Sequence, residues 1–142
     1  MPRSKAAKPK KKAAPASKKL ILGVQDVYYN VENMDRAVAF YRDVLGFQVH
    51  DTNEWWSSLE IGGLRVGLHG TGGEKVPHVP RDDHGAHAGA TLTLKVADID
   101  QARAALGTKG VKVLGPIQRD DWGSLVAFED TEGNVLKLMQ PA

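Results

Sequence analysis

With 142 residues, 42% of them hydrophobic, and no cysteine, the chain holds material for one domain and excludes disulfide frameworks, thiolate nucleophiles and Cys-ligated metal or iron–sulfur centres. No stretch approaches the roughly 18 apolar residues of a membrane helix, and the basic start is not followed by an apolar signal core, so a cytoplasmic protein is expected. The formal charge of +2 hides an asymmetry: residues 1–19 carry eight of the 19 cations and none of the 17 acids, which leaves the remainder at about −6.

Those first 19 residues, built from Lys, Ala, Pro and Ser, offer nothing to bury and repel one another. They are expected to form a disordered tail capable of nonspecific contact with nucleic acid, acidic partners or anionic lipid. Leu20 to Val31 is rich in Val, Ile, Leu and Tyr and reads as a strand. Asn33 then caps a helix whose apolar stripe is Met34, Ala37, Val38, Tyr41 and Leu45, with Gly46 as its stop. Phe47 to Asp51, Trp55 to Ile61 and Leu64 to His69 follow as strands, the last two joined by a Gly62-Gly63 hairpin turn.

Gly70 to Ala88 has loop chemistry throughout, with no apolar period. The pattern then restarts. Ala90 to Val96 alternates as a half-buried strand, and a helix from Ile99 to Lys109 is opened by an Asp98/Gln101 capping box and closed by Gly110. Val111 to Ile117, Trp122 to Glu129 and Val135 to Gln140 complete the series, the last two joined by the turn-forming run Asp130 to Asn134. Val31 to Val96 spans 65 positions and Leu68 to Leu138 spans 70, so strand–helix–three strands occurs twice. The fold class is therefore α+β: two tandem βαβββ modules (20–70 and 89–141, joined by a loop at 71–88) whose mixed sheets pack side by side around a shared cleft. Each half alone is too small to stabilise itself, and the hollow between them is the natural ligand site.

The segment NMDRAVAFYRDVLGF (Asn33 to Phe47) after a strand, and FEDTEGNVLKL (Phe128 to Leu138) with its D-x-x-G-N turn, resemble the two signatures of the vicinal oxygen chelate superfamily. That group includes glyoxalases, bleomycin-resistance proteins, fosfomycin-resistance enzymes and extradiol dioxygenases. The resemblance covers residues 20–141 and is informative for fold rather than for reaction. It also implies a homodimer.

Metal-using members of that superfamily place four ligands on strands facing the hollow. Counting from the signatures, the matching positions here are Asp26, Gly67, Thr91 and Lys137. Only Asp26 is an ordinary ligand. Glycine has no side chain, threonine offers a weak neutral oxygen and lysine repels a cation. No cofactor is expected on these grounds; a replacement divalent site at Asp26, His69 and His87 is the alternative, with weaker claims from His50, His78 and His84.

Period-two parity assigns the cleft lining to Asp26, Tyr28, Asn30, Arg65, Gly67, His69, Thr91, Thr93, Lys95 and Lys137. It turns Val27, Tyr29, Val66, Leu68, Leu92, Leu94, Leu136 and Leu138 toward the helices. Asp26 and Lys137 are expected to pair where a metal would sit. Trp55 and Trp56 must point to opposite faces, so that one packs in the core and the other, Trp56, offers a flat wall to a ligand. The resulting expectation is a small-molecule binder without metal, with its ligand in the cleft. The alternatives are a metal-dependent lyase, isomerase or dioxygenase, and a nucleic-acid-associated protein acting through its tail. Whether any reaction is catalysed is left open.

Overall fold

The computed structural model describes residues 19–76 and 90–142. The expected disordered tail therefore lies almost wholly outside the described residues, as do His78, His84 and His87. The first module comprises β1 (Val27–Val31), α1 (Met34–Ala39), β2 (Gln48–Thr52), β3 (Trp56–Ile61) and β4 (Leu64–Gly70). The second comprises β5 (Leu92–Lys95), α2 (Ile99–Thr108), β6 (Val113–Asp120), β7 (Gly123–Glu129) and β8 (Val135–Pro141). Each module forms its own four-stranded mixed sheet, in the orders β1-β4-β3-β2 and β5-β8-β7-β6. In each, the first strand runs parallel to the last and the other neighbours are antiparallel.

The helices start where their caps dictate. The Asn33 side chain accepts from the Arg36 N–H and the Asp98 side chain from the Gln101 N–H, each satisfying one amide that the first turn leaves without a partner. Gly62 and Gly63 both take positive φ, at 55° and 85°. That conformation suits the twisted two-residue turn linking β3 to β4 and is cheap only for residues such as glycine.

Three boundaries differ from the sequence reading, each for a physical reason. The expected strand from Leu20 shrinks to Val27–Val31. Val27 pairs with Val66, so Gln25 would lie opposite Leu64, where β4 begins; a strand extended further back would face the hairpin turn and have no ladder to join. Leu20, Ile21, Leu22 and Val24 are consequently 75–97% exposed. The first helix keeps its length but changes its winding, running from α1 into a π-helical stretch at Phe40–Val44 whose wider turn brings the Leu45 N–H to the Phe40 carbonyl. In β6 the ladder is irregular between Leu114 and Gln118, because Gly115 takes φ 71° and Pro116 has no N–H to donate.

The core of each module lies between its helix and one sheet face. Val66, Leu68 and Leu59 pack under Tyr41, Ala37 and Val38, while Leu136, Leu138 and Phe128 pack under Ile99 and Leu106. The modules are fastened where the β7–β8 turn, Asp130 to Asn134, meets the first helix. Tyr41 Oη donates to Asp130 Oδ2 at 2.8 Å, the Asn33 N–H donates to Glu132 Oε1 at 2.7 Å, and Arg36 Nε donates to Glu132 Oε2 at 2.8 Å. Tyr29 Oη adds a cross-link by accepting from the Leu92 N–H and donating to the Val135 carbonyl, so it bridges β5 and β8 at the open end of their ladder.

Candidate functional site

The sheet faces turned away from the helices carry the candidate site, and burial follows the period-two split. Val66, Leu68, Leu92, Leu136 and Leu138 are buried beneath the helices, whereas Tyr28, Asn30, Arg65, His69, Thr93 and Lys95 are exposed on the opposite side.

On the first sheet, register brings Tyr28, Gly67 and Ser58 into one row, and Trp56 into line with His69. Three rings gather there. Tyr28 meets Trp56 edge-on with centroids 5.7 Å apart, Tyr28 and His69 are 5.9 Å apart, and Trp56 and His69 are 6.3 Å apart. The Trp56 Nε1–H donates to Ser58 Oγ at 3.2 Å, which orients the indole along the strand. Its far edge lies over Gly67: a Cβ there would collide with Trp56 Cη2 and Cζ2 and lie 3.1 Å from the Tyr28 Cβ. Glycine at 67 is thus the space that the indole occupies. Sequence reasoning noted both residues and missed their complementarity, since only the β3–β4 register places residue 56 beside residue 67. The signal was present in the spacing about the Gly62-Gly63 turn, which pairs Ile61 with Leu64 and so Ser58 with Gly67.

On the second sheet, Thr93 lies beside Lys137. Among the described residues no hydrogen bond or ion pair joins this pair to the aromatic cluster, so the structure shows two groupings rather than one. Asp26 stands one residue before β1 begins, and the ion pair expected between Asp26 and Lys137 is absent from those that the described residues form; Lys137 sits mid-strand in the other sheet. Thr91 likewise precedes β5. Neither adjacent tryptophan enters the core. Trp55 falls just before β3, is 55% exposed and lies against Gly72, whereas Trp56 is half-buried on the cleft face. Trp122 sits in the turn before β7 and is 48% exposed.

Asp26, Gly67, Thr91 and Lys137 make a poor set for a chelated dication: Gly67 is covered by an indole, Lys137 is a cation, and among the described residues no three metal-ligating side chains converge. His87, the third member of the alternative site with Asp26 and His69, lies outside the described residues. His50 faces Glu60 at 3.8 Å.

The strongest electrostatic perturbations lie instead at the junction between modules. Burial pushes the Asp130 carboxyl above its ordinary range, although the donors on Asn134 and Tyr41 and two backbone amides pull it back. Burial also acts upward on Glu132, but its bonds from Arg36 and the Asn33 N–H outweigh this and hold it below the ordinary range. The Tyr41 hydroxyl is pushed well upward by burial and by the neighbouring Asp130 charge, so it stays a proton donor. The two carboxyls therefore act in opposite senses on stability. A lowered folded pKa means that Glu132 stabilises above its unfolded value and loses that contribution as pH falls; a raised one means that ionising Asp130 costs stability as pH rises. Glu132→Gln is expected to destabilise the protein by about 1–2 kcal/mol at neutral pH through loss of charge-assisted bonds. The gap in denaturation midpoint from the parent protein should close below about pH 4, under the ordinary glutamate value of about 4.3. A gap independent of pH would refute the assignment.

Residues 23–138 match the family model described as the Glyoxalase/Bleomycin resistance protein/Dioxygenase superfamily. No curated protein matches the chain. Solved structures with the same fold include the glyoxalase family protein from Enterococcus faecalis, at 22% identity and TM-score 0.65, covering 85% of this chain and 99% of that one. Lactoylglutathione lyase from Agrobacterium tumefaciens matches at 16% identity and TM-score 0.61, covering 86% and 96%. The fosfomycin resistance protein FosX from Listeria monocytogenes matches at 12% identity and TM-score 0.66, covering 87% and 96%.

Proposed function

We propose that this chain, which belongs to the Glyoxalase/Bleomycin resistance protein/Dioxygenase superfamily, binds a small molecule without a metal, in the cleft on the open faces of its two sheets. The observation that carries this reading is the Trp56 indole seated over Gly67, in the space that a chelating side chain at position 67 would need. Tyr28 and His69 extend the indole into an aromatic wall suited to a flat ring or to a cation held against π faces. Thr93 and Lys137 provide hydrogen-bonding and positive charge on the other sheet. The protein acts as a homodimer, in which the exposed apolar segment from Leu20 to Val24 gains cover. The basic tail adds only nonspecific contacts.

A thermal-shift screen tests the reading, using divalent metals, a glycopeptide antibiotic, a dicarbonyl–thiol adduct and an acyl-CoA as probes. The expected result is a rise with an organic probe accompanied by a change in tryptophan emission, with no stoichiometric metal uptake. Trp56→Ala should abolish the response. Lys137→Met should abolish binding of an anionic probe and leave a cationic one unaffected. One tightly held ion per chain in metal-replete protein, removed by Asp26→Asn, would overturn the proposal in favour of a metal-dependent enzyme.

A further inference from the structure

Around their first strands and helices the two modules repeat with one offset: the helix caps Asn33 and Asp98, and the helix starts Met34 and Ile99, are both 65 positions apart. The β7–β8 turn of the second module packs on the first helix. By the same relation the β3–β4 hairpin of the first module faces α2, and Gly62 and Leu64 indeed share a cavity with Ala105 and Leu106. The equivalent places are filled very differently. On the first helix the space is taken by Phe40 and Tyr41, both buried, with Tyr29 bonded to Val135 at the start of β8 and a five-residue turn bonded to Tyr41 through Asp130. At the matching positions of the second module stand Ala105, Leu106 and Leu94, and the turn is only Gly62-Gly63.

Replacing three aromatic rings by smaller aliphatic groups and a long turn by a short one leaves a hole of about 500 Å³. That volume falls within the range of small-molecule pockets. Its walls are mainly Leu, Ile, Val and Ala with one Phe, and Thr93 and Lys95 are the only polar side chains among them, so most of the space offers water no hydrogen-bonding partner. Lys95 is the only charged residue among those lining it, and it is exposed. An occupant must therefore be apolar along its body and is favoured by one negative charge at its end.

We propose that this cavity between α2 and the β3–β4 hairpin is a second ligand site, which takes an aliphatic chain bearing a single anionic group. It shares Thr93 with the proposed cleft but none of the aromatic residues Tyr28, Trp56 and His69, and its test distinguishes the two. Calorimetric titration of the full-length protein with dodecanoate should give one site per chain and a rise in melting temperature of about 5 °C near saturation. Dodecyltrimethylammonium should bind at least tenfold more weakly. Ala105→Phe, which restores the ring present at Phe40, should abolish dodecanoate binding; Ala105→Leu, a gentler filling, should weaken it at least tenfold and serves if the larger ring prevents folding. Lys95→Gln should weaken it about tenfold with stoichiometry unchanged, and Trp56→Ala should leave it unaltered. Absence of binding, or binding indifferent to both fillings at Ala105, would overturn the proposal. So would binding that appears only when Leu22→Asp turns a dimer into a monomer, since the cavity would then belong to the Leu20–Val24 segment of a second copy.

Discussion

Asp130→Ala is expected to cost about 3–5 kcal/mol and to lower the melting temperature by about 10–20 °C. The reason lies in how many groups one carboxylate satisfies. Its Oδ1 accepts from the backbone amides of Glu132 and Asn134, both at 2.8 Å, and its Oδ2 accepts from Tyr41 Oη at 2.8 Å and Asn134 Nδ2 at 2.9 Å. Alanine leaves those donors without their acceptor, and the Tyr41 hydroxyl is fully buried. Burial also makes the Asp130 charge itself costly, which trims the loss but does not cancel it. Because the same turn carries Glu132 against Asn33 and Arg36, its loosening separates the modules. Tyr41→Phe removes a single bond and should cost only about 1–2 kcal/mol. Chemical denaturation of both variants checks the ratio; equal costs would mean that the turn does not hold the modules together.

Gly70→Ala is expected to cost about 3 kcal/mol and to disturb the cleft at the same time. A Cβ at Gly70 would collide with the Glu54 carbonyl oxygen and sit 3.4 Å from the Trp55 Cα. These atoms are backbone, so no side chain can swing aside. The Gly70 N–H also donates to the Trp55 carbonyl at 2.9 Å, which pins the loop that delivers Trp56. Displacing the loop should lift Trp56 from Gly67 and make its emission more accessible to a collisional quencher. Gly67→Ala provides the contrast. It meets the far edge of a half-buried indole, which can rotate, and the Tyr28 Cβ at 3.1 Å, which must give by a few tenths of an ångström, so its stability cost should be smaller, about 1–2 kcal/mol, although the aromatic wall rearranges. If Gly70→Ala left both melting temperature and quenching unchanged, the close approach of β4 to the β2–β3 loop would have no energetic weight.

The duplicated βαβββ architecture was legible in the chain because it rests on local rules. The helical stripe from Met34, side-chain caps at Asn33 and Asp98, the Gly62-Gly63 turn and the alternation in β5 each depend on neighbours a few positions away. The same alternation assigned the buried and exposed sheet faces without knowledge of any contact. Local composition failed at Leu20 to Val24, where strand-forming residues have no ladder to join, because pairing is supplied by another segment.

Residue type by itself also showed that Gly67, Thr91 and Lys137 make a poor chelating set, since the capacity to donate a lone pair belongs to the side chain wherever it sits. Tertiary structure decided what fills the space: Trp56 over Gly67, Asp26 outside its strand and away from any partnership with Lys137, and Asp130 buried beneath Tyr41. Those outcomes turn on register and on contacts between residues up to about a hundred positions apart. Periodicity reports which face a side chain takes, whereas its neighbour on that face is chosen by the packing of the whole molecule.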